Sequence, residues 1–115
     1  MIQEVHEVVE SFNNYTNNIS NGCFQIADFL RKDNIAEAMH LILQFSEGMG
    51  WIVQASELLS KNGVEVFFEV EKIHEFLNEI NNGLEIQDYV IVADMFEYEI
   101  APFFEKVNRI EGFDN

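Results

Sequence analysis

Two Glu-x-x-His pairs, Glu37-Ala-Met-His40 and Glu71-Lys-Ile-His74, are the residues of this 115-residue chain whose types and spacing best suit chemistry. A di-iron or di-manganese bundle takes one such pair from each of two helices and one further carboxylate from each of the other two. All of those ligands must point inward at a common height. Advancing about 100° per residue, Glu37 and His40 lie roughly 130–170° from an apolar stripe centred near Ile42. His74 falls at the margin of its own stripe, and Glu71 lies well outside it. Both pairs are therefore expected to face outward, and no metal or other cofactor is assigned. A carboxylate/histidine di-metal bundle is the enzyme-class alternative, and it requires the opposite orientation.

The acids of "ADMFEYE" (93–99) raise a similar question. Two carboxylates buried together can share a proton and work as an acid–base pair. Here Asp94 and Glu97 flank the outer sides of a helix, and Glu99 sits at the edge of the Phe96 stripe, so the charges are expected to turn to water. His6 follows Val5 and reads as a boundary histidine. Cys23, the single cysteine, occupies an apolar position with no cation nearby in sequence to activate it. Alone, it offers neither an intrachain disulfide nor a cysteine zinc cluster. No Ser/His/Asp order, Gly-rich phosphate loop or zinc spacing stands out. No catalytic residue is assigned, and the chain is read as non-enzymatic.

The elements that position these residues are read as four helices, over about 2–31, 35–61, 65–81 and 87–109. In the first, Ile2, Val5, Val9, Phe12, Thr16, Ile19, Cys23, Ile26 and Leu30 recur at steps of three and four, a heptad seam. It weakens at "NNYTNNISNG" (13–22), where five asparagines, Ser20 and Gly22 are poor helix formers. One long helix with a soft middle is expected, with a break near 17–22 as the alternative. "RKDN" (31–34) reads as a tight joint in which Asp33 or Asn34 caps the next helix. That helix turns Ile35, Met39, Ile42, Phe45, Met49, Ile52, Val53 and Ser60 to one side and stops at "KNG". The third turns Val66, Val70, Ile73, Leu77 and Ile80 inward and closes at "NNG". The fourth stacks Tyr89, Val92, Phe96, Ile100, Phe103, Val107 and Ile110, and Pro102 is expected to bend it. "EGFDN" reads as a short frayed tail. Arg31, Lys32, Lys61, Lys106 and Arg109 all fall in expected last turns, where cations suit the helix dipole.

Four helices with short joints bury their stripes most simply as one domain, an all-α antiparallel four-helix bundle in up-down-up-down order. Laying 34–54 over 85–105 gives a weak echo, as Ile35 meets Ile86 and Phe45 meets Phe96. Two duplicated helical hairpins would leave that trace, and so would helical patterning alone.

Bulk composition narrows the partners. With 21 acids against 6 bases the net charge is −15, which repels phosphate backbones and anionic headgroups, so neither nucleic acid nor membrane is expected. No apolar run approaches the roughly 20 residues that cross a bilayer. "MIQEVHEVVE" lacks the basic start of a secretory signal, and a cytoplasmic location is expected.

Two helices carry more apolar surface than a small monomer needs. The far side of the second presents Trp51, Ala55 and Leu58 after Gly48, and the far side of the fourth presents Ile91, Met95, Tyr98 and Pro102. A second apolar row implies burial by something else, and Trp and Tyr dominate interface energetics. Trp51, Ala55, Leu58, Ile91, Met95 and Tyr98 are therefore the expected interface, to a second copy in a homodimer or to a protein partner. A small export or assembly chaperone that cradles an amphipathic helix is a related reading.

"GMGWIVQASELLS" and "DYVIVADMFEYEIAPFFEK" together resemble a family of small, uncharacterised bacterial all-helical proteins. The shared pattern is an Asp-Tyr-Val start, Ala-Asp, Glu-Tyr-Glu and a Pro near the C-terminus, chiefly over residues 48–60 and 87–106. The resemblance implies a helical, cytoplasmic, non-secreted protein and supplies no catalytic residue.

Overall fold

Apolar residues at steps of four and three give the first helix, α1 (Ile2–Arg31), one buried side. Val5, Val9, Phe12, Thr16, Ile19, Cys23, Ile26 and Leu30 are all buried. The computed structural model describes residues 2–66, 69–107 and 109–111; the Ile2 side chain and the tail 112–115 lie outside them. α1 runs unbroken through its asparagine-rich middle. Asn13 is buried, its Nδ2 donating to the Ile110 carbonyl at 3.0 Å and its Oδ1 accepting from the Ile110 N–H at 2.9 Å. Thr16 donates back to the Phe12 carbonyl at 3.0 Å. The two buried polar residues of this stretch thus have their polar groups satisfied within the packed structure.

α2 (Ile35–Lys61) buries Ala38, Ile42, Phe45, Met49, Ile52, Ser56 and Leu59, again at steps of four and three. This corrects the stripe read from sequence: Met39 and Ser60 are exposed and Val53 is half-buried. Ala38 and Ser56 take inward places that a search for large apolar residues passes over. Ser56 is satisfied there by donating to the Ile52 carbonyl at 2.8 Å.

α3 (Val70–Glu85) begins later and ends later than its sequence pattern suggests. Residues 64–66 and 69 are non-helical, because β-branched side chains separated by acids favour extended backbone, and Val64 is already buried there. Val66 and Val70 are only half-buried. At the other end "NNG" lies inside the helix. A Cβ on Gly83 would sit 2.6 Å from Cγ2 of Val92, so glycine is what lets α3 approach the next helix this closely.

The fourth helix is a rod of three parts: α4 (Tyr89–Met95), a π turn over Phe96–Ile100, and α5 (Ala101–Glu105). Pro102 is accommodated by the wide turn before it, where the Ala101 N–H bonds the Phe96 carbonyl five residues back. The extra residue in that turn moves the inward series to Val92, Phe96, Ile100 and Phe104. Phe103 is left half-buried against Phe76 of α3, with ring centroids 5.3 Å apart at 82°. Lys106 caps this helix and Arg109 lies beyond it, so only Arg31 and Lys61 occupy last turns.

α1, α2 and α3 all end in one hydrogen-bond pattern. Asp33 (φ 62°), Gly63 (φ 76°) and Gln87 (φ 57°) are left-handed, and the following residue bonds back to the carbonyls of Phe29, Leu59 and Gly83, respectively. Asn34 and Asp88 then begin the next helices, though only Asp88 caps with its side chain, accepting from the Ile91 N–H at 3.1 Å. These joints equate Asn34 with Asp88, three residues out of register with the sequence echo that set Asn34 over Glu85.

Contacts fix the directions. Arg31 reaches Asp94 and Glu97 while Asn13 holds Ile110, so α1 opposes the fourth helix. Tyr15 lies against Trp51 of α2, and Gly83 against Val92. The result is an all-α antiparallel bundle with α1 and α3 on opposite corners. Its 46 Å long axis matches the roughly 45 Å length of a 30-residue α1.

Two substitutions test this packing. Gly83→Ala should lower stability by about 1–2 kcal/mol, since overpacking against the fully buried Val92 outweighs the gain in helix propensity. Urea denaturation measures it, and a raised midpoint would contradict the close approach. Asn13→Ala should cost about 1–3 kcal/mol by leaving both Ile110 backbone groups without their partner. Amide exchange at Ile110 should accelerate more than at Ile80.

Candidate interaction surfaces

Along α1, Ser11, Tyr15, Asn18 and Gly22 form a second row at steps of four and three beside the core seam. Along α2, Leu41, Gln44, Gly48, Trp51, Ala55 and Leu58 do the same. Ser11 to Gly22 of the first row and Leu41 to Trp51 of the second border a groove. One part is an apolar hollow of about 190 Å³ lined by Tyr15, Gly22, Ile26, Leu41 and Phe45, among others. It continues past Tyr15 to Ser11, Gly48 and Trp51. Gly48 shapes the junction, because a Cβ there would overlap the Tyr15 hydroxyl. The Tyr15 and Trp51 rings meet edge to face, their centroids 6.1 Å apart.

The residues expected at an interface divide between surface and core. Trp51, Leu58, Ile91 and Tyr98 are exposed, at 37%, 44%, 50% and 65%. Ala55 and Met95 are buried at 5% and 3%. Ala55 lies between the core stripe of α2 and the outer row and is too short to reach solvent. Met95 precedes the π turn, where the widened helix gives the core a broader inward side. Ile86 and Val90, both 70% exposed, join Ile91 at the α3–α4 joint instead. Val90 and Tyr98 also border a hollow of about 470 Å³ with Leu30, Arg31, Tyr89 and Asp94. Arg31 is held there by Asp94 and Glu97, each at 3.0 Å. Sequence reading missed the α1 side of the groove, although the spacing of Ser11, Tyr15, Asn18 and Gly22 was available to find it.

The residues considered for chemistry are dispersed. Glu37, His40, Glu71 and His74 are exposed, and His40 shares a 3.2 Å hydrogen bond with Gln44 of its own helix. Asp94 and Glu99 are exposed, and Glu97 is half-buried beside Arg31. Among the described residues, no three His, Cys, Asp or Glu side chains come together as metal ligands. Nor does any buried side-chain nitrogen or oxygen lack a hydrogen-bond partner. Among the same residues, no helix is long and apolar enough to cross a membrane.

Comparison with known proteins places the chain. A family described as a domain of unknown function, DUF8042, matches residues 7–110, and the chain belongs to that family. No curated protein and no solved structure matches it.

Two acidic groups of α1 have raised pKa values. Burial, and secondarily the Glu105 carboxylate, pushes the Cys23 thiol from 9.0 up to about 12. Burial also raises the Tyr15 phenol, with the negative charge of an ionised Cys23 adding to it. Below pH 9.0 the thiol is protonated in folded and unfolded chains alike and contributes no pH dependence. Above it the unfolded chain releases the proton that the folded chain keeps. Stability should therefore fall as pH rises from 9.0 to about 12, by at most about 1.4 kcal/mol per unit for this group. Denaturation midpoints across that window should slope less steeply in Cys23→Ala than in the wild type, and equal slopes would contradict the assignment.

Proposed function

We propose that this member of the DUF8042 family is a non-enzymatic acidic helical-bundle protein of the bacterial cytoplasm that acts by binding another polypeptide chain. The observation that carries the reading is the second row of α2, where Leu41 and Trp51 border a groove and Leu58 is exposed beyond it, while a separate stripe of the same helix fills the core. A helix in a monomeric bundle needs only one apolar side. The exposed side chains also include Trp and Tyr, the types that supply most binding energy when covered. A non-catalytic reading is supported by Glu37, His40, Glu71 and His74, which are all exposed, and by the absence of a convergent group of acids and histidines among the described residues.

Site-specific photo-crosslinking in cells tests this. A photoreactive residue in place of Trp51 or Leu58 should give discrete adducts, and one in place of the exposed Glu10 should not. An adduct at twice the 13.4 kDa chain mass identifies a second copy, and any other mass a different protein. Leu58→Glu should change stability by no more than about 0.5 kcal/mol, because the site is exposed, yet remove the adduct formed from position 51. Row positions that crosslink no more than position 10 would refute the reading.

A further inference from the structure

Gly22 sits well inside α1, at neither a turn nor a cap, where glycine costs about 1 kcal/mol relative to alanine. Nothing inside the chain requires it, since a Cβ built there meets no atom within 4 Å. That separates it from Gly83 and Gly48, whose hydrogens make room for Val92 and Tyr15. What Gly22 does is line the apolar cavity between α1 and α2. An open floor at that point makes room for a chain approaching from outside.

The groove's shape and charge specify the visitor. From Ser11 to Ile26 it follows α1 for about 22 Å, the length of a helix of about 15 residues. Two antiparallel helices flank it, so a third helix laid between them packs as helices in bundles do. Its lining is apolar or neutral: Ser11, Asn18 and Gln44 are its polar members, and neither Lys nor Arg takes part. Beyond the lining, the rows meet exposed acids. Glu37 is one turn before Leu41, Glu47 adjoins Gly48, and Glu7 is one turn before Ser11. A second copy would bring another −15 charge to this surface, whereas a basic helix is drawn to it.

We propose that the α1/α2 groove binds a cationic amphipathic helix of a partner protein, its apolar side over Gly22 and against Tyr15 and Trp51 and its Lys/Arg side toward the acids at the groove's margins. This rests on the interaction reading above and narrows it to one occupant.

The chain's only tryptophan, Trp51, lies in the groove and reports on it. The probe is a Trp-free peptide of about 18 residues with leucines on one helical side and lysines on the other. Added to the full chain, it should shift Trp51 emission to the blue, and the same peptide with Glu for Lys should not. Gly22→Leu fills the groove from a site with open space, so the melting temperature should not fall, while peptide affinity should drop by about tenfold or more. Gln44→Lys, at an exposed lining residue, should weaken the Lys peptide and improve the Glu peptide. No emission shift, equal binding of both peptides, or unchanged affinity in both variants would overturn the proposal. Adducts at position 58 found only at the doubled chain mass, together with failure of the Lys peptide, would leave the interaction reading standing and remove this occupant.

Discussion

The bundle depends on the uninterrupted burial of one side of α1. That helix contacts α2 along one flank and all three parts of the fourth helix along another, and it spans the long axis of the molecule. Its middle is poor in helix formers, each costing up to about 0.7 kcal/mol against alanine, and near 1 for Gly22. Burial of Val9, Phe12, Ile19, Cys23 and Ile26 outweighs these costs, since a fully buried aliphatic or aromatic side chain contributes about 1.5–3 kcal/mol. The helix is therefore set by tertiary packing more than by local preference. Asn13 belongs to the same arrangement: its buried amide pairs with both backbone groups of Ile110 and ties the segment after the fourth helix to α1.

How the helices end decides how their sides meet. Three left-handed terminations return the chain within a few residues, which keeps consecutive helices adjacent and antiparallel. Only Gly63 takes that conformation without a steric cost; Asp33 and Gln87 hold it because a neighbouring helix begins at once. The fourth helix solves a different problem. A regular helix through Pro102 would press its ring against the Tyr98 carbonyl, and the π turn loosens the backbone at that point. The same turn sets Phe104 toward the core and Phe103 toward α3, which lets one short segment serve two interfaces.

The fold class and the α1 seam were legible because large apolar residues recur there without interruption. Elsewhere the signal lay in small or ambiguous residues. Ala38 and Ser56 fill inward places on α2, whereas the spacing read from the large apolar residues assigns Met39 and Ser60 to that side. Gly83 looked like a stop because glycine usually ends helices, yet here it permits a close crossing, which depends on a residue nine positions later. The π turn left no mark beyond Pro102. Of the surface, Trp51, Leu58, Ile91 and Tyr98 were found by spacing, whereas Ala55 and Met95 share that spacing and lie inside. Periodicity gives an angle around one helix, and burial depends on what the neighbouring helices cover.

That distinction bears on what the groove is. Glycine inside a helix costs about 1 kcal/mol against alanine, and at Gly83 and Gly22 the surroundings differ. For Gly83 the reason is internal and visible in the side chain that a methyl group would strike. For Gly22 no internal reason exists, because the space above it is open. The acids compound the asymmetry. A surface this negative resists covering its apolar rows with another copy of itself, since each approach adds like charge in a region losing solvent. A helix that brings basic side chains relieves that repulsion as it covers the apolar floor, so its charge and its packing favour the same docked position.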